Sequence, residues 1–158
     1  MRFLLIIFLL ALVQSASAQE ERDTTWKQCP VYITDTVTAN NFFLSARPCT
    51  IRVNRYNGDL KIVIEQKDQF LTLLFGEKKL RTNKYKIQTR ADNRNEIVVK
   101  YSFRSGDQVS YVDVANGTVE TWFDKEKQLW QIKVNGLIAN LVDRTVTYYR
   151  VKADFNIL

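Results

Sequence analysis

From Pro30 to the C-terminus, apolar and polar positions alternate with a period of two in one run after another. The clearest case is "TIRVNR" (50–55) and "LKIVIEQ" (60–66), which alternate on either side of "YNGD" and set Leu60, Ile62 and Ile64 on one face. Alternation over several residues marks a half-buried strand, and Asn-Gly between two such runs is a strong hairpin signal. Further β-type runs follow: "QFLTLLF" (69–75), "KYKIQTR" (84–90), "NEIVVKYSF" (95–103), "QVSYVDV" (108–114), "GTVETWF" (117–123), "LWQIKVNGLIANL" (129–141) and "TVTYYRVKADF" (145–155). The connectors between them are short and polar. Residues 19–28 are polar and predicted to be loose, apart from Trp26.

No apolar stripe holds the i, i+3, i+4, i+7 spacing over three turns, and Val, Ile, Thr, Tyr and Phe are enriched in the runs, so the chain is predicted to be all-β. Short connectors force sequential neighbours to pair, which gives an antiparallel meander of about 8–10 strands. Left open, such a sheet would bare one apolar face to water. It is therefore expected to be closed as a barrel or folded as a β-sandwich.

Three Asn-Gly pairs divide by context. Asn57-Gly58 reads as a tight turn. Asn135-Gly136 falls inside a long run in which Trp130, Ile132 and Val134 share one parity and Leu137, Ala139 and Leu141 the other, which predicts one long strand with a β-bulge at the glycine. Asn116-Gly117, with Thr118, reads as a type I′ hairpin turn with both residues at positive φ, and it also matches the N-x-[ST] acceptor for N-linked sugar. Asn116 is thus a candidate glycosylation site on an exposed tip.

The opening "MRFLLIIFLLALVQSASAQ" has a positive charge at Arg2, an apolar run from Phe3 to Val13 and the small-x-small triplet Ala16-Ser17-Ala18. That is the pattern of a secretory signal peptide over residues 1–18, and eleven apolar residues fall short of the roughly 20 that span a bilayer. Residues 19–158 are then one domain, secreted or periplasmic and not membrane-integral. Arg2 is the signal segment's sole charge, so the formal net charge of +6 becomes +5 on its removal. Basic residues spread over many strands predict no nucleic-acid partner, which would need them clustered; the densest run, "EKKLRTNKYK" (77–86), is the candidate for an anionic surface. Two cysteines in an exported chain read as one disulfide, Cys29 to Cys49, closing a loop of about 20 residues worth roughly 3 kcal/mol.

The chain has no histidine. That removes Ser-His-Asp and Cys-His catalysis, most zinc and copper sites and the commonest general base near neutral pH. Carboxylates remain, and glycoside hydrolysis needs two of them facing each other across a cleft. Glu120, Asp124, Glu126 and Asp113 have aromatic neighbours in sequence, but a turn and a solvent-facing strand account for them, so no catalytic residue is assigned. Nucleotide, calcium and phosphate-loop signatures are missing, and no cofactor or metal is expected. Seven Tyr, nine Phe and three Trp, most of them in strands, suit either a packed core or the lining of an apolar ligand site.

A signal peptide, Trp26 in "DTTWKQC", a long strand meander and one disulfide together resemble the lipocalin-like, calycin-type secreted β-barrels, although Thr24 stands where that family's Gly-x-Trp signature has glycine. The resemblance implies a non-enzymatic protein that binds a small hydrophobic ligand. The expected function is a non-enzymatic exported β-domain that binds a small apolar ligand or a partner surface. The alternative is an extracellular protein-interaction module, an inhibitor or adhesive β-sandwich, with a filled core and its function on the loops.

Overall fold

The structure is a computed structural model that describes residues 22–43, 47–142 and 145–158, and the segment 1–18, expected to be a signal peptide, lies outside them. Every regular element among the described residues is a strand: β1 (Arg22–Trp26), β2 (Val31–Asp35), β3 (Cys49–Tyr56), β4 (Asp59–Gln66), β5 (Gln69–Phe75), β6 (Asn83–Ile87), β7 (Glu96–Ser105), β8 (Gln108–Asp113), β9 (Asn116–Asp124), β10 (Leu129–Val142) and β11 (Thr145–Ile157). The alternation in the sequence becomes alternation in burial. In β4, Leu60, Ile62, Ile64 and Gln66 face inward and the residues between them outward. At the Asn57-Gly58 turn both residues have positive φ, 52° and 87°, and Tyr56 pairs with Asp59 across it. Positive φ at both central positions is what a type I′ turn requires.

All eleven strands belong to one sheet, in the order β1-β3-β4-β5-β7-β6-β9-β10-β11-β2, with β8 attached to β7 off this path. The ladder is not closed as a barrel: its two ends are β1 and β2. These two are consecutive in the chain, so residues 27–30 carry the N-terminal segment from one end of the sheet to the other. The sheet folds over a single apolar core. One inner row runs Ile51, Ile64, Leu71, Tyr101, Val112 across β3, β4, β5, β7 and β8. Facing it is a second row, Tyr85, Val119, Val134, Ala153, Val31, across β6, β9, β10, β11 and β2. Burial of these rows supplies the main driving force for folding, at about 25 cal/mol per Å² of apolar surface.

Three local expectations are corrected. Residues 22–26 are a strand rather than a loose segment, because Arg22 to Trp26 pair in register with Val53 to Cys49. The meander is interrupted: β5 pairs β7, and β6 lies between β7 and β9, parallel to the first and antiparallel to the second. Only Lys86 and Ile87 pair in parallel with Glu96 and Ile97. The strands are thus staggered nearly end to end, and no long crossover is needed. A hydrogen-bonded cluster holds β6 there. The hydroxyl of the buried Tyr85 donates to Glu77, Arg81 pairs with Glu77 at 3.1 Å, and Thr121 Oγ1 donates to the Arg81 carbonyl at 2.6 Å.

The third correction concerns the two remaining Asn-Gly pairs. β10 is one long strand, as expected, but its register with β9 and with β11 is one-to-one through Gly136, so it contains no bulge. Gly136 itself takes the inward position and Ile138 continues the parity of Ile132 and Val134. A Cβ on Gly136 would lie 2.5 Å from Val114 Cγ1 and 3.3 Å from Ile87 Cδ1, so neighbouring side chains already fill that place. Asn116-Gly117 is not a hairpin turn. β8 and β9 do not pair; the chain passes from β7's side to β10's side at Val114 and Ala115, whose amides donate to Val99 and Leu137 carbonyls at 3.0 Å. Gly117 has φ 133° and Asn116 is not among the positive-φ residues. Gly117 pairs with Gly136. A side chain on it would collide with the Asn135 carbonyl and lie 2.6 Å from Gly136 Cα.

Candidate functional site: an aromatic cavity where the sheet splits

β9 begins at Asn116, opposite Leu137, so β10 beyond Leu137 has no ladder partner on that side among the described residues. β8 likewise pairs on one side only, with β7. Between these two unpaired edges the sheet is split. Beneath the split lies a cavity of about 280 Å³, lined by Ile33, Phe42, Tyr101, Phe103, Val112, Ile138, Asn140 and Tyr149. Tyr101 and Val112 end the first inner row, so the alternation that builds the core on the β4–β5 side also delivers an apolar wall here. Ile138 and Tyr149 pair across β10 and β11 and form the opposite wall.

The remaining wall comes from the segment after β2. Asp35 Oδ1 accepts the amides of Val37 and Thr38 at 2.7 and 2.9 Å, which turns the chain back on itself. These hydrogen bonds, that from Thr38 foremost, hold the Asp35 carboxyl below the usual carboxylate range. Asn41 Oδ1 then accepts the amides of Ile33 and Phe43 at 3.0 and 3.2 Å, and the Phe42 amide donates to the Ile33 carbonyl at 2.8 Å. So fixed, Phe42 meets Tyr149 edge-on, ring centroids 5.2 Å apart, and Phe43 is buried against Tyr101 at 6.3 Å. Tyr101 donates its hydroxyl to Gln69 Oε1 at 3.2 Å, and burial raises its pKa. The sequence reading did not single out "NNFF" (40–43). Its signal was an Asn ahead of two aromatics in a stretch with no strand pattern, an arrangement in which the Asn side chain bonds the local backbone.

A second cleft of about 310 Å³ adjoins the cavity and shares Phe42, Tyr101 and Phe103 with it. Its other lining residues are polar, among them Arg47, Lys67, Asp68 and Arg104. The combination is an apolar chamber with a charged mouth.

Cys29 and Cys49 are brought together as expected, near 2.9 Å apart and both buried, but in the structure they are free thiols rather than the expected disulfide. Their position follows from the ladder: Cys49 pairs with Trp26, and the Cys29 amide donates to the Arg47 carbonyl at 3.0 Å. The Cys49 thiol hydrogen-bonds to Cys29. That hydrogen bond, helped by the Val31 backbone, lowers the pKa of Cys29, and the same bond together with burial pushes Cys49 up.

Asn116 is exposed, and its Oδ1 accepts the Gly117 amide at 2.8 Å. The carboxylates do not converge. Glu120 pairs with Lys84 at 2.8 Å and its pKa is lowered by that lysine; Asp113 pairs with Lys100 at 3.6 Å. Asp124 accepts the amides of Glu126 and Lys127 in the β9–β10 turn. The basic run 77–86 is interrupted by the Arg81–Glu77 and Lys84–Glu120 pairs. Among the described residues no group of three His, Cys, Asp or Glu side chains is arranged to hold a metal ion, and no helix is long and apolar enough to cross a membrane. No family model, curated protein or solved structure matches this chain, so the lipocalin-like resemblance rests on layout.

Proposed function

We propose that this chain is an exported, non-enzymatic β-domain that binds a small apolar ligand in the cavity beneath the split between β8 and β10. The observation that carries the reading is the cavity itself: of the eight described residues that line it, all but Asn140 are apolar or aromatic. The cavity is half open to solvent, and its volume of about 280 Å³ falls just below the roughly 300–1,000 Å³ typical of ligand sites. Asn140 supplies one polar group to orient a ligand.

Export rests on the opening segment, and it bears on the cysteines. In an oxidising compartment the contact between Cys29 and Cys49 converts to a disulfide, the two thiols losing two protons and passing two electrons to a dithiol–disulfide oxidant of that compartment. In a host that adds N-linked sugar, the exposed Asn116 is its acceptor.

The test is titration of the folded protein with N-phenyl-1-naphthylamine, an uncharged apolar fluorophore. Saturable enhancement is expected, weakened at least about tenfold in Val112→Trp, which fills the cavity, with the far-ultraviolet dichroism unchanged. Absence of saturable binding to the native protein would overturn the reading. It would favour a protein-interaction module instead, for which one observation speaks: β8 is a one-sided edge strand on which Tyr111 is 70 % exposed and Val109 40 %.

A further inference from the structure

Building on the apolar-ligand reading, we infer that the ligand is an anionic amphiphile, a single apolar chain or ring system with a carboxylate, sulfate or phosphate head held at the cationic mouth. The apolar cavity and the charged cleft adjoin, with Phe42, Tyr101 and Phe103 lining both. Among the described residues, three cations, Arg47, Lys67 and Arg104, line the mouth against one carboxylate, Asp68. None of the three forms an ion pair among the described residues, whereas seven other basic side chains, Arg52, Arg81, Lys84, Arg90, Lys100 and Lys127 among them, do so or stack on an aromatic ring.

These cations are far apart in sequence, and the fold assembles them. The Arg104 amide donates to the Asp68 carbonyl at 2.8 Å, which ties the end of β7 to the β4–β5 turn. Gln66 Nε2 donates to the Arg47 carbonyl at 3.2 Å, which brings Arg47 to the same rim. Like charges so gathered repel one another, and a bound anion would relieve that repulsion. An uncharged ligand would leave it in place. Each cation is exposed, so each contributes modestly and the three act together.

The experiment displaces N-phenyl-1-naphthylamine from the folded protein with decanoate, decyl sulfate and decanol, which share one chain length. The inference expects both anions to displace the probe at concentrations at least about tenfold below decanol. That advantage should collapse at about 1 M salt, where the screening length is near 3 Å, and in the double variant Arg47→Gln/Arg104→Gln. The variant must still bind the uncharged probe normally, which shows that it is folded and that its cavity is intact. Equal displacement by decanol and decanoate would overturn the anionic head and leave the apolar-ligand reading standing. An anion advantage that survives in the double variant would overturn the assignment to this rim. No binding of the probe itself would defeat the apolar-ligand reading and this inference with it. Cosedimentation with phosphatidylglycerol vesicles, without displacement by monomeric decanoate, would show that the rim meets a membrane surface instead.

Discussion

At the residue scale, the same dipeptide has three different physical roles. Gly58 sits at φ 87° with nothing within 4 Å of an added Cβ, so Gly58→Ala strains only the turn and should cost about 1 kcal/mol. Gly117 combines φ 133° with backbone of the facing strand where a side chain would stand. Gly117→Val should therefore cost more than about 4 kcal/mol or prevent folding, while Thr118→Ala, one residue on, stays within about 1 kcal/mol. Thermal melts of the three variants decide this, and a Gly117→Val protein as stable as Gly58→Ala would refute the close approach of the two strands. Asp35 makes a pH prediction. Its folded pKa is depressed by the Thr38 and Val37 amides, so it stabilises the fold above its unfolded value near 4, and that contribution is lost as pH falls through the folded value. Stability should therefore drop more between about pH 5 and 2 in the parent than in Asp35→Asn, measured by urea denaturation at each pH.

At the element scale, strand positions depend on a few ties that local propensity does not supply. β6 pairs with β7 at two residues only, and its place between β7 and β9 depends on the Tyr85–Glu77–Arg81–Thr121 cluster. Tyr85→Phe removes the hydroxyl from a buried site and leaves the Glu77 carboxylate without that donor, at a cost of about 1–3 kcal/mol. Hydrogen exchange should show the loss first at the β6 amides. The N-terminal segment depends on its cysteines in the same way. Oxidation of the Cys29–Cys49 contact closes a loop of about 20 residues and should raise stability by roughly 3 kcal/mol over the reduced protein, an increment missing from Cys49→Ser. Thiol titration of the exported, unfolded, unreduced protein should find no free thiol; two would refute the bond.

At the scale of the whole molecule, the core and the split sheet obey different constraints. Leu73 is fully buried in the row with Ile62 and Val99, so Leu73→Ala should cost about 2–5 kcal/mol. Val109 on the exposed face of β8 has no such partners, and Val109→Ala should stay within about 0.5 kcal/mol. Chemical denaturation distinguishes the two, and a large effect at Val109 would mean that β8 is covered by something beyond this chain. The cavity exists because β8 leaves β7's side at Val114 while β10 runs on past the start of β9, so the sheet lacks one strand's width there. Of the aromatic side chains that line the gap, Tyr101, Phe103 and Tyr149 were visible as strand residues in the sequence and Phe42 was not. Their arrangement around a common space was not, because Ile33, Tyr101, Ile138 and Tyr149 meet only after the sheet folds over.

Period and turn chemistry encode structure only over a few residues. The all-β class, the spans of β3, β4, β5, β9 and β10 and the Asn57-Gly58 turn were all legible on that basis. The tertiary structure alone decided which strands pair across distance. Parity at Gly136 is an example: pattern reading shifts the phase there because Leu137 and Ala139 are apolar, yet Val114 and Ile87 fill the inward space and hold Ile138 inside. Asn116-Gly117 satisfies the turn signal equally well, but a local signal cannot report that its glycine faces another glycine on β10. The cationic mouth is the same case, since Arg47, Lys67 and Arg104 lie in separate hairpins and loops, too far apart in sequence for local patterning to link them. Local steric preference acts within a window of residues; the partner across a sheet is selected by burial of the whole chain.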